Sequence, residues 1–300
     1  MKKGTSRSKR DNRSNDKPVV SAERGSVLIV GYEEPVRNIV TSMVTSGGHH
    51  CLTVGGGVEV LALLEAGEKC DVILTDLVND QLGGIGILER TRQRFPEIQV
   101  VFMTSVQRIG YAFEGVRQGA YDYLFLPFEH GQLLFLLGRA IEHRRLKLQN
   151  AAYQEKLGPV VSSKNQKPAR ILIQDDEEPI REIAASMLTC SRHACRGIES
   201  PREALDILRS GEPVDLVLCG LLETLEADFF KQVSKQFPDI PMVVLSACHG
   251  WEFFQPALRD GAYDYLNKPF EREQLELKVL RALEYRRLRL ENQACARLMM

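Results

Sequence analysis

GAYDYLNKPFEREQL, residues 261–275, has a near copy in GAYDYLFLPFEHGQL, residues 119–133. Three more segments repeat in the same order at an offset of 142 to 144 residues: QDDEEPIR (174–181) after VGYEEPVR (30–37), QFPDIPMVVLSA (236–247) after RFPEIQVVFMTS (94–105), and RALEYRRLRLEN (281–292) after RAIEHRRLKLQN (139–150). An ordered repeat at a nearly constant offset predicts two copies of one domain, each of roughly 120 residues.

The composition agrees with two globular domains. The chain has 300 residues, 44% of them hydrophobic, and a net charge of -1, and this length suits two domains better than one. The first 24 residues carry eight basic and three acidic side chains and almost no large apolar ones. Such a segment buries too little to offset its ordering entropy, so we predict a disordered basic tail. Contact with nucleic acid or an acidic membrane is the alternative role for it.

Nothing in the sequence indicates export or a membrane. There is no apolar core of a secretory signal and no run of about 18 apolar residues. Seven cysteines are scattered singly, without a CxxC pair, as is typical of reduced thiols in a cytosolic protein. We therefore expect a cytoplasmic protein without a membrane span.

Inside each copy, short apolar runs alternate with helical patterns. Continuous Val, Ile and Leu runs are typical of strands buried on both faces. The predicted strands are Val27–Val30, Cys51–Val54, Val72–Thr75, Val100–Met103 and Tyr123–Phe125, then Ile171–Gln174, Ala194–Ile198, Leu216–Cys219, Met242–Leu245 and Tyr265–Asn267. Alternating strands and helices predict an α/β fold with parallel sheets and helices on both faces.

These elements give five segments. We predict a basic tail over residues 1–25, a first domain over 26–148, the end of a helix and a linker over 149–169, a second domain over 170–292 and a C-terminal tail over 293–300. In sheets of this kind, ligand chemistry belongs at the carboxyl ends of the strands.

Polar residues stand at those strand ends. Asp175 and Asp176 follow the first strand of the second copy, and Lys268 follows its fifth strand. With DDEEPIR and GAYDYLNKPF at this spacing, both copies resemble the receiver domain of bacterial two-component response regulators. The resemblance implies a flavodoxin-like (CheY-like) fold, in which each five-stranded parallel sheet has the order 2-1-3-4-5.

The resemblance also implies a chemistry. A receiver takes a phosphoryl group from a histidine kinase onto the aspartate after its third strand. In the family, two acids after the first strand and that aspartate hold Mg²⁺, which neutralises charge on the transferring group. A lysine after the fifth strand and a hydroxyl after the fourth contact the phosphoryl oxygens. An aromatic residue three positions before the lysine takes part in the switch that follows phosphorylation.

Neither copy carries the whole set. The first copy keeps the acceptor position as Asp76, the hydroxyl as Thr104 and the aromatic as Tyr123. Its acidic pair is replaced by Gly31–Tyr32 and its lysine by Leu126. Losing the metal ligands and the lysine predicts slow phosphorylation, because one well-placed electrostatic stabiliser is typically worth about 2.7–4 kcal/mol of barrier.

The second copy keeps the complementary half. Asp175–Asp176, Ser246, Tyr265 and Lys268 stand in place, but the acceptor position is Gly220. A glycine cannot form an aspartyl phosphate. Mg²⁺ binding is also doubtful there, because one of three carboxylates is gone. We expect the two aspartates and the lysine to pair with one another, with a retained metal site as the alternative.

These departures favour a protein that is not an enzyme. The main hypothesis is a response-regulator-like scaffold or interaction protein with no encoded output domain. The alternative is that Asp76 still accepts phosphate, as a relay or a phosphate sink. The expected partners are a histidine kinase, a histidine phosphotransfer protein or another response regulator. No DNA-reading module is visible, so nucleic acid is not an expected partner.

The helices that end the two copies bear on assembly. Leu137, Ile141 and Leu148 fall at heptad-like spacing, and so do equivalent residues of the second copy, but arginines interrupt both patterns. The pattern is too short for a coiled coil and is compatible with pairing between copies or between chains, including a homodimer through these helices.

Overall fold

The computed structural model describes residues 24–76, 83–157, 168–220, 228–248 and 250–299. It contains two five-stranded sheets in which every pairing of neighbouring strands is parallel. The strand orders are β2-β1-β3-β4-β5 and β7-β6-β8-β9-β10. The predicted fold class and strand order are therefore confirmed for both copies.

Each domain alternates strands and helices. The elements of the first domain are β1 (Ser26–Val30), α1 (Glu34–Ser46), β2 (His50–Val54), α2 (Gly57–Glu65), β3 (Val72–Asp76), α3 (Gly83–Arg94), β4 (Gln99–Ser105), α4 (Ile109–Arg117), β5 (Asp122–Leu126) and α5 (His130–Leu157), with a 3-10 turn at Val106–Arg108. Those of the second are β6 (Arg170–Gln174), α6 (Glu178–Cys190), β7 (Ala194–Ile198), α7 (Pro201–Arg209), β8 (Leu216–Gly220), α8 (Phe229–Gln236), β9 (Met242–Ser246), α9 (Trp251–Arg259), β10 (Asp264–Asn267) and α10 (Arg272–Leu298).

Each sheet is covered on both faces, which explains the continuous apolar runs. In β1, Val27 and Ile29 pack with α1 and α5 on one face, and Leu28 and Val30 pack with α2 and α3 on the other. Alternate residues of a strand point to opposite faces, so a strand between two helical layers must be apolar at every position.

The last helix departs from the prediction. Residues 293–298, assigned above to a C-terminal tail, form the final turns of α10. The helix continues because its end is anchored: Asn292 Nδ2 donates to the Leu146 carbonyl at 3.1 Å, and Cys295 is buried. The predicted tail over residues 1–23 and the linker residues 158–167 lie outside the described residues.

The long helices α5 and α10 pack against each other within the chain. Arg139 of α5 forms a buried ion pair with Asp264 of β10 at 2.5 Å, the two side chains being 4% and 1% exposed. Lys278 of α10 lies 3.1 Å from Asp122 of β5 and 3.2 Å from Asp264. The two domains therefore meet through the same face, made of the last strand and the last helix of each.

This interface has approximate two-fold symmetry. The Arg139 guanidinium lies over the Tyr263 ring at 4.0 Å, and the equivalent Arg281 lies over the equivalent Tyr121 at 5.1 Å. Arg281 also donates to the Tyr121 carbonyl at 2.7 Å. Pairing between the copies, one of the two alternatives left by the heptad-like pattern, is what the structure shows. None of the helices in the described ranges has the length and apolar character needed to cross a membrane.

Candidate functional site

The predicted site residues of the first domain gather where β1, β3, β4 and β5 end, a region called here the first mouth. Asp76 is the last residue of β3, Thr104 is the penultimate residue of β4, and Leu126 is the last residue of β5. Gly31 and Tyr32 follow β1. The chain direction of a parallel sheet brings these ends together, as the resemblance implied.

Tyr32 reaches across the first mouth. Its hydroxyl donates to the Met103 carbonyl of β4 at 2.7 Å. In the sheet, β3 lies between β1 and β4, so the Tyr32 side chain spans the strand that ends in Asp76. Tyr32 has a φ of 70° and follows Gly31 with a φ of 75°. A bulky residue in the left-handed region is uncommon, and the preceding glycine makes the turn into it easy.

The phenol of Tyr32 is kept neutral by its surroundings. Burial raises its pKa far above the ordinary value, and the negative charge of Asp76 raises it further. A neutral phenol can donate its one hydrogen bond, here to Met103, but it offers no charge to bind a cation. The residue that replaces a metal-binding carboxylate is thus itself part of the wall of the site.

Asp76 has a cationic neighbour that the resemblance does not imply. Arg108, in the 3-10 turn after β4, places Nη1 3.8 Å from Asp76 Oδ1. The two side chains are 45% and 24% exposed. At this distance and exposure the attraction is weak, worth at most about 1 kcal/mol. The fifth-strand position that would carry the lysine is Leu126, which cannot supply a charge.

The remaining positions of the first mouth fit a receiver framework. A Cβ at Gly84 would overlap the Asp76 carbonyl oxygen, so only glycine fits at the start of α3. Thr104 is buried, and within the part of the chain that the structure describes its Oγ1 has no hydrogen-bond partner. Burial raises the pKa of Tyr123 to about 12, and its ring packs edge-on against Phe113 at 5.7 Å.

The second mouth, at the ends of β6, β8, β9 and β10, is closed by an ion pair. Lys268 Nζ lies 2.7 Å from Asp175 Oδ2 and 3.1 Å from Glu177 Oε1. The Asp175 side chain is 0% exposed, and its Oδ1 accepts the Glu177 backbone N–H at 3.1 Å. The prediction that Lys268 pairs with the acids is right for Asp175 and wrong for Asp176, which is exposed; Glu177 takes its place.

Glycine at position 220 shapes that ion pair. A Cβ added there would overlap Asp175 Oδ2, so the Asp175 carboxylate uses the space at the root of the missing acceptor side chain. Ser246 Oγ is turned to the following turn, where it accepts the Cys248 backbone N–H at 3.0 Å. Tyr265 packs against Phe254 at 4.2 Å, and burial raises its pKa to about 12.

The fit of each mouth to Mg²⁺ differs. In the first mouth, Gly31 and Tyr32 supply no carboxylate, so Asp76 is the one acid of the three family positions. In the second, oxygens of Asp175, Asp176 and Glu177 lie within 4.8 Å of one another. However, the Lys268 ammonium already neutralises Asp175. Mg²⁺ requires near-octahedral oxygen ligation. The carboxylate oxygens of the second mouth surround the Lys268 ammonium instead, so they do not fit Mg²⁺.

The comparisons with known proteins agree with this architecture. The family model described as "Response regulator receiver domain" matches residues 27–137 and 171–280. The chain belongs to this family. Both matched segments are receiver domains of two-component systems, here called receiver 1 and receiver 2.

One similar protein is a transcriptional regulator. The DNA-binding transcriptional regulator NtrC of Salmonella typhimurium is 34% identical over 121 residues, which is 40% of this chain and 26% of that protein. The match therefore spans about a quarter of that relative's length. Two solved structures come from Brucella abortus. The receiver domain of NtrX is 26% identical, with TM-score 0.37, and covers 39% of this chain and 98% of its own. NtrX is 16% identical, with TM-score 0.43, and covers 82% and 68%.

The sequence analysis did not include Glu177 and Arg108, and it did not predict the side-chain contact of Tyr32. Glu177 was passed over because the resemblance directs attention to Asp175 and Asp176. Arg108 had a signal: it stands opposite Gly250 in the repeat, so the copy with the acceptor has gained a cation. The reach of Tyr32 to Met103 had none, because a sequence does not give a side-chain direction.

Proposed function

We propose that this chain acts in two-component signalling by binding other proteins, with its two receivers held as one unit, and that it does not catalyse a reaction. Tyr32 carries the proposal. It stands at a sequence position where the family carries a metal-binding carboxylate, and its phenol is held by the hydrogen bond to Met103. Receiver 2 cannot compensate, because Gly220 has no side chain to accept a phosphoryl group.

The partners we propose are those of receivers in general: a histidine kinase, a histidine phosphotransfer protein or another response regulator. Both receivers lack part of the phosphorylation site, and a fold without its complete site supports binding rather than chemistry. A homodimer through the terminal helices is not part of the proposal. The faces of α5 and α10 that would form it already cover each other, with Arg139 and Asp264 buried between them.

Intact mass spectrometry tests the proposal. The chain is incubated with Mg²⁺ and acetyl phosphate, in which an aspartate oxygen would attack phosphorus and displace acetate. We expect no phosphoryl adduct on the natural chain. The matched positive control is the variant Gly31→Asp/Tyr32→Asp/Leu126→Lys, which restores the family residues around Asp76 and should form an adduct. An adduct on the natural chain that disappears in Asp76→Ala would refute the proposal.

A second candidate function keeps Asp76 as an acceptor without a metal. The observation in its favour is Arg108, whose Nη1 lies 3.8 Å from Asp76 Oδ1 and is placed to face a phosphoryl group. In this case the adduct forms with EDTA present, and Arg108→Ala slows its formation by roughly 10²-fold, the usual effect of one stabilising charge. Equal rates in the two proteins would exclude this role for Arg108.

A further inference from the structure

The inter-receiver interface departs from its two-fold symmetry at its ends. At one end the indole of Trp251, the only tryptophan of the chain, is 4% exposed and lies 5.6 Å from the Phe135 ring. A Cβ at Gly131 would overlap the indole nitrogen. The Trp251 backbone N–H donates to Glu129 at 3.2 Å. An aromatic ring from receiver 2 therefore closes this end against a slot in receiver 1.

The other end is open. The positions equivalent to Trp251 and Phe135 carry Ile109 and Leu277, which are smaller. A cavity of about 490 Å³ lies here, with Phe113 of α4 on one wall and Leu277 and Leu280 of α10 on the other. Its volume is in the range of small-molecule sites, roughly 300–1,000 Å³. The Leu280 side chain, which lines the cavity, is 38% exposed, so an apolar surface is left uncovered at this end of the interface.

Arg192 stands at the rim of the cavity in a conformation that disfavours it. Its φ is 67°, and the equivalent residue of receiver 1 is Gly48 with a φ of 85°. Glycine adopts this region readily and a residue with a Cβ does not. Among the residues that the structure describes, the exposed Arg192 guanidinium has no hydrogen bond or ion pair. A strained arginine where the sister copy has glycine points to a use for its charge.

A second donor lines the same rim. His193 Nδ1 accepts the Ala169 backbone N–H at 3.3 Å, so the proton of the neutral ring is on Nε2 and can be donated. Burial lowers the pKa of His193, although Glu276 acts in the opposite direction. The ring is therefore neutral near pH 7 and offers one N–H.

The acids of the rim are already engaged. Glu273 lies 3.7 Å from Arg117, and Glu276 lies 2.7 Å from Arg272 while accepting the Ser191 hydroxyl. Each of these acids thus has a cationic neighbour within the protein, and Arg117 is shared with Glu114 at 3.7 Å. The cavity thus combines apolar walls with unused donors, and the ligand chemistry that matches it is an apolar ring bearing an anionic oxygen group.

We propose that this cavity binds a small aromatic carboxylate, with the ring between Phe113 and Leu280 and the carboxylate at Arg192 and His193. The site does not depend on whether Asp76 accepts phosphate. Because both receivers contribute walls, a bound ligand stabilises the paired arrangement over the separated one. In this way the concentration of a small aromatic acid would set the stability of the inter-receiver interface.

Isothermal titration calorimetry at pH 7.5 on the full chain tests the site, with indole-3-acetate as the probe and 3-methylindole as its uncharged counterpart. We expect saturable binding of the acid, with a dissociation constant on the order of 1 mM or below. Arg192→Gly copies receiver 1 and relieves the backbone strain, so the variant should fold. It should weaken the acid at least about 10-fold and leave 3-methylindole unchanged.

Two tryptophan variants complete the design. Leu280→Trp fills the cavity from a partly exposed position and should remove binding of both probes. Val58→Trp adds the same side chain at a position on α2 that is 63% exposed and outside the cavity lining, and should bind like the natural chain. The proposal is overturned if indole-3-acetate fails to saturate the natural chain, or if Arg192→Gly binds the acid as tightly as the natural chain does.

Discussion

Replacing Arg139 by methionine should lower the free energy of unfolding, because it breaks a buried ion pair between the receivers. The side-chain volume at the interface changes little. The guanidinium is 4% exposed and pairs with Asp264, which is 1% exposed. Without Arg139, Asp122 and Asp264 share one cation, Lys278, so a net negative charge is left buried. Breaking a buried ion pair typically costs 3–5 kcal/mol. We expect about 3 kcal/mol, the lower limit, because Lys278 still lies 3.2 Å from Asp264.

The assay is urea unfolding followed by the fluorescence of Trp251, which lies in the interface. A loss of about 3 kcal/mol lowers the folding equilibrium constant roughly 10²-fold, and moves the midpoint by about 1 M if the slope is about 3 kcal/mol per M. The matched control is Arg196→Met. Arg196 pairs with Glu212 at 2.7 Å, but the side chains are 52% and 46% exposed, so its loss should cost no more than about 1 kcal/mol.

A second substitution distinguishes charge from packing. Asp264→Asn in the Arg139→Met background removes the excess negative charge and should recover part of the lost stability. The argument fails if Arg139→Met is as mild as Arg196→Met. It also fails if the double variant is no more stable than Arg139→Met alone, because the loss would then come from packing.

Three further predictions concern other sites. Gly220→Asp should push the Asp175 carboxylate out of the space it occupies and give receiver 2 an Mg²⁺-dependent phosphoryl adduct, detected by intact mass; a folded variant that forms none would show that the pocket has closed. Lys268→Met leaves Asp175 buried and unpaired, so thermal unfolding should show a loss of about 3 kcal/mol; an unchanged melting temperature would contradict the assigned ion pair. Burial lowers the pKa of His143, whose Nε2 lies 3.2 Å from Glu284, so unfolding takes up a proton. Stability should fall as pH drops below about 6.5, by at most about 1.4 kcal/mol per unit, and His143→Gln should remove that part of the slope.

The fold was predictable because the same pattern of apolar runs and helical segments occurs in both copies. Val27–Val30 and Ile171–Gln174 are apolar at nearly every position, and both form inner strands between two helical layers. Likewise, the Ser200 side chain caps α7, where it accepts the Glu203 backbone N–H at 3.2 Å. Such features depend on local chemistry and on burial, which a sequence encodes directly.

The site was predictable only in outline. The sequence located Asp76 and Lys268 at strand ends, because parallel strands align their carboxyl ends. Asp176 and Glu177 are both exposed in the turn before α6, and of these two Glu177 reaches the Lys268 ammonium. The sequence does not give these side-chain directions. The docking of the receivers was harder still. It is held by charged residues such as Asp122 and Arg139, which a hydrophobic pattern assigns to the surface.

The two copies carry different residues at the mouths, where two working phosphoacceptor domains would carry the same ones. At the mouths, the residues equivalent to Gly31–Tyr32 are Asp175–Asp176, and the residue equivalent to Leu126 is Lys268. The acceptor position is Asp76 in the first copy and Gly220 in the second. At the interface four pairs of equivalent residues are the same in both copies: Tyr121 and Tyr263, Asp122 and Asp264, Arg139 and Arg281, Glu142 and Glu284. Other interface positions differ, among them Lys278, whose equivalent is Leu136.

This division has a physical consequence. A symmetric interface needs the same groups on both sides, and here each arginine lies over a tyrosine ring of the other receiver. The acids depart from the symmetry, because Lys278 lies beside both Asp122 and Asp264. A phosphorylation site needs no such match between domains. The agreement of these four pairs, beside the disagreement at the mouths, supports the proposal that the paired receivers act by binding other proteins.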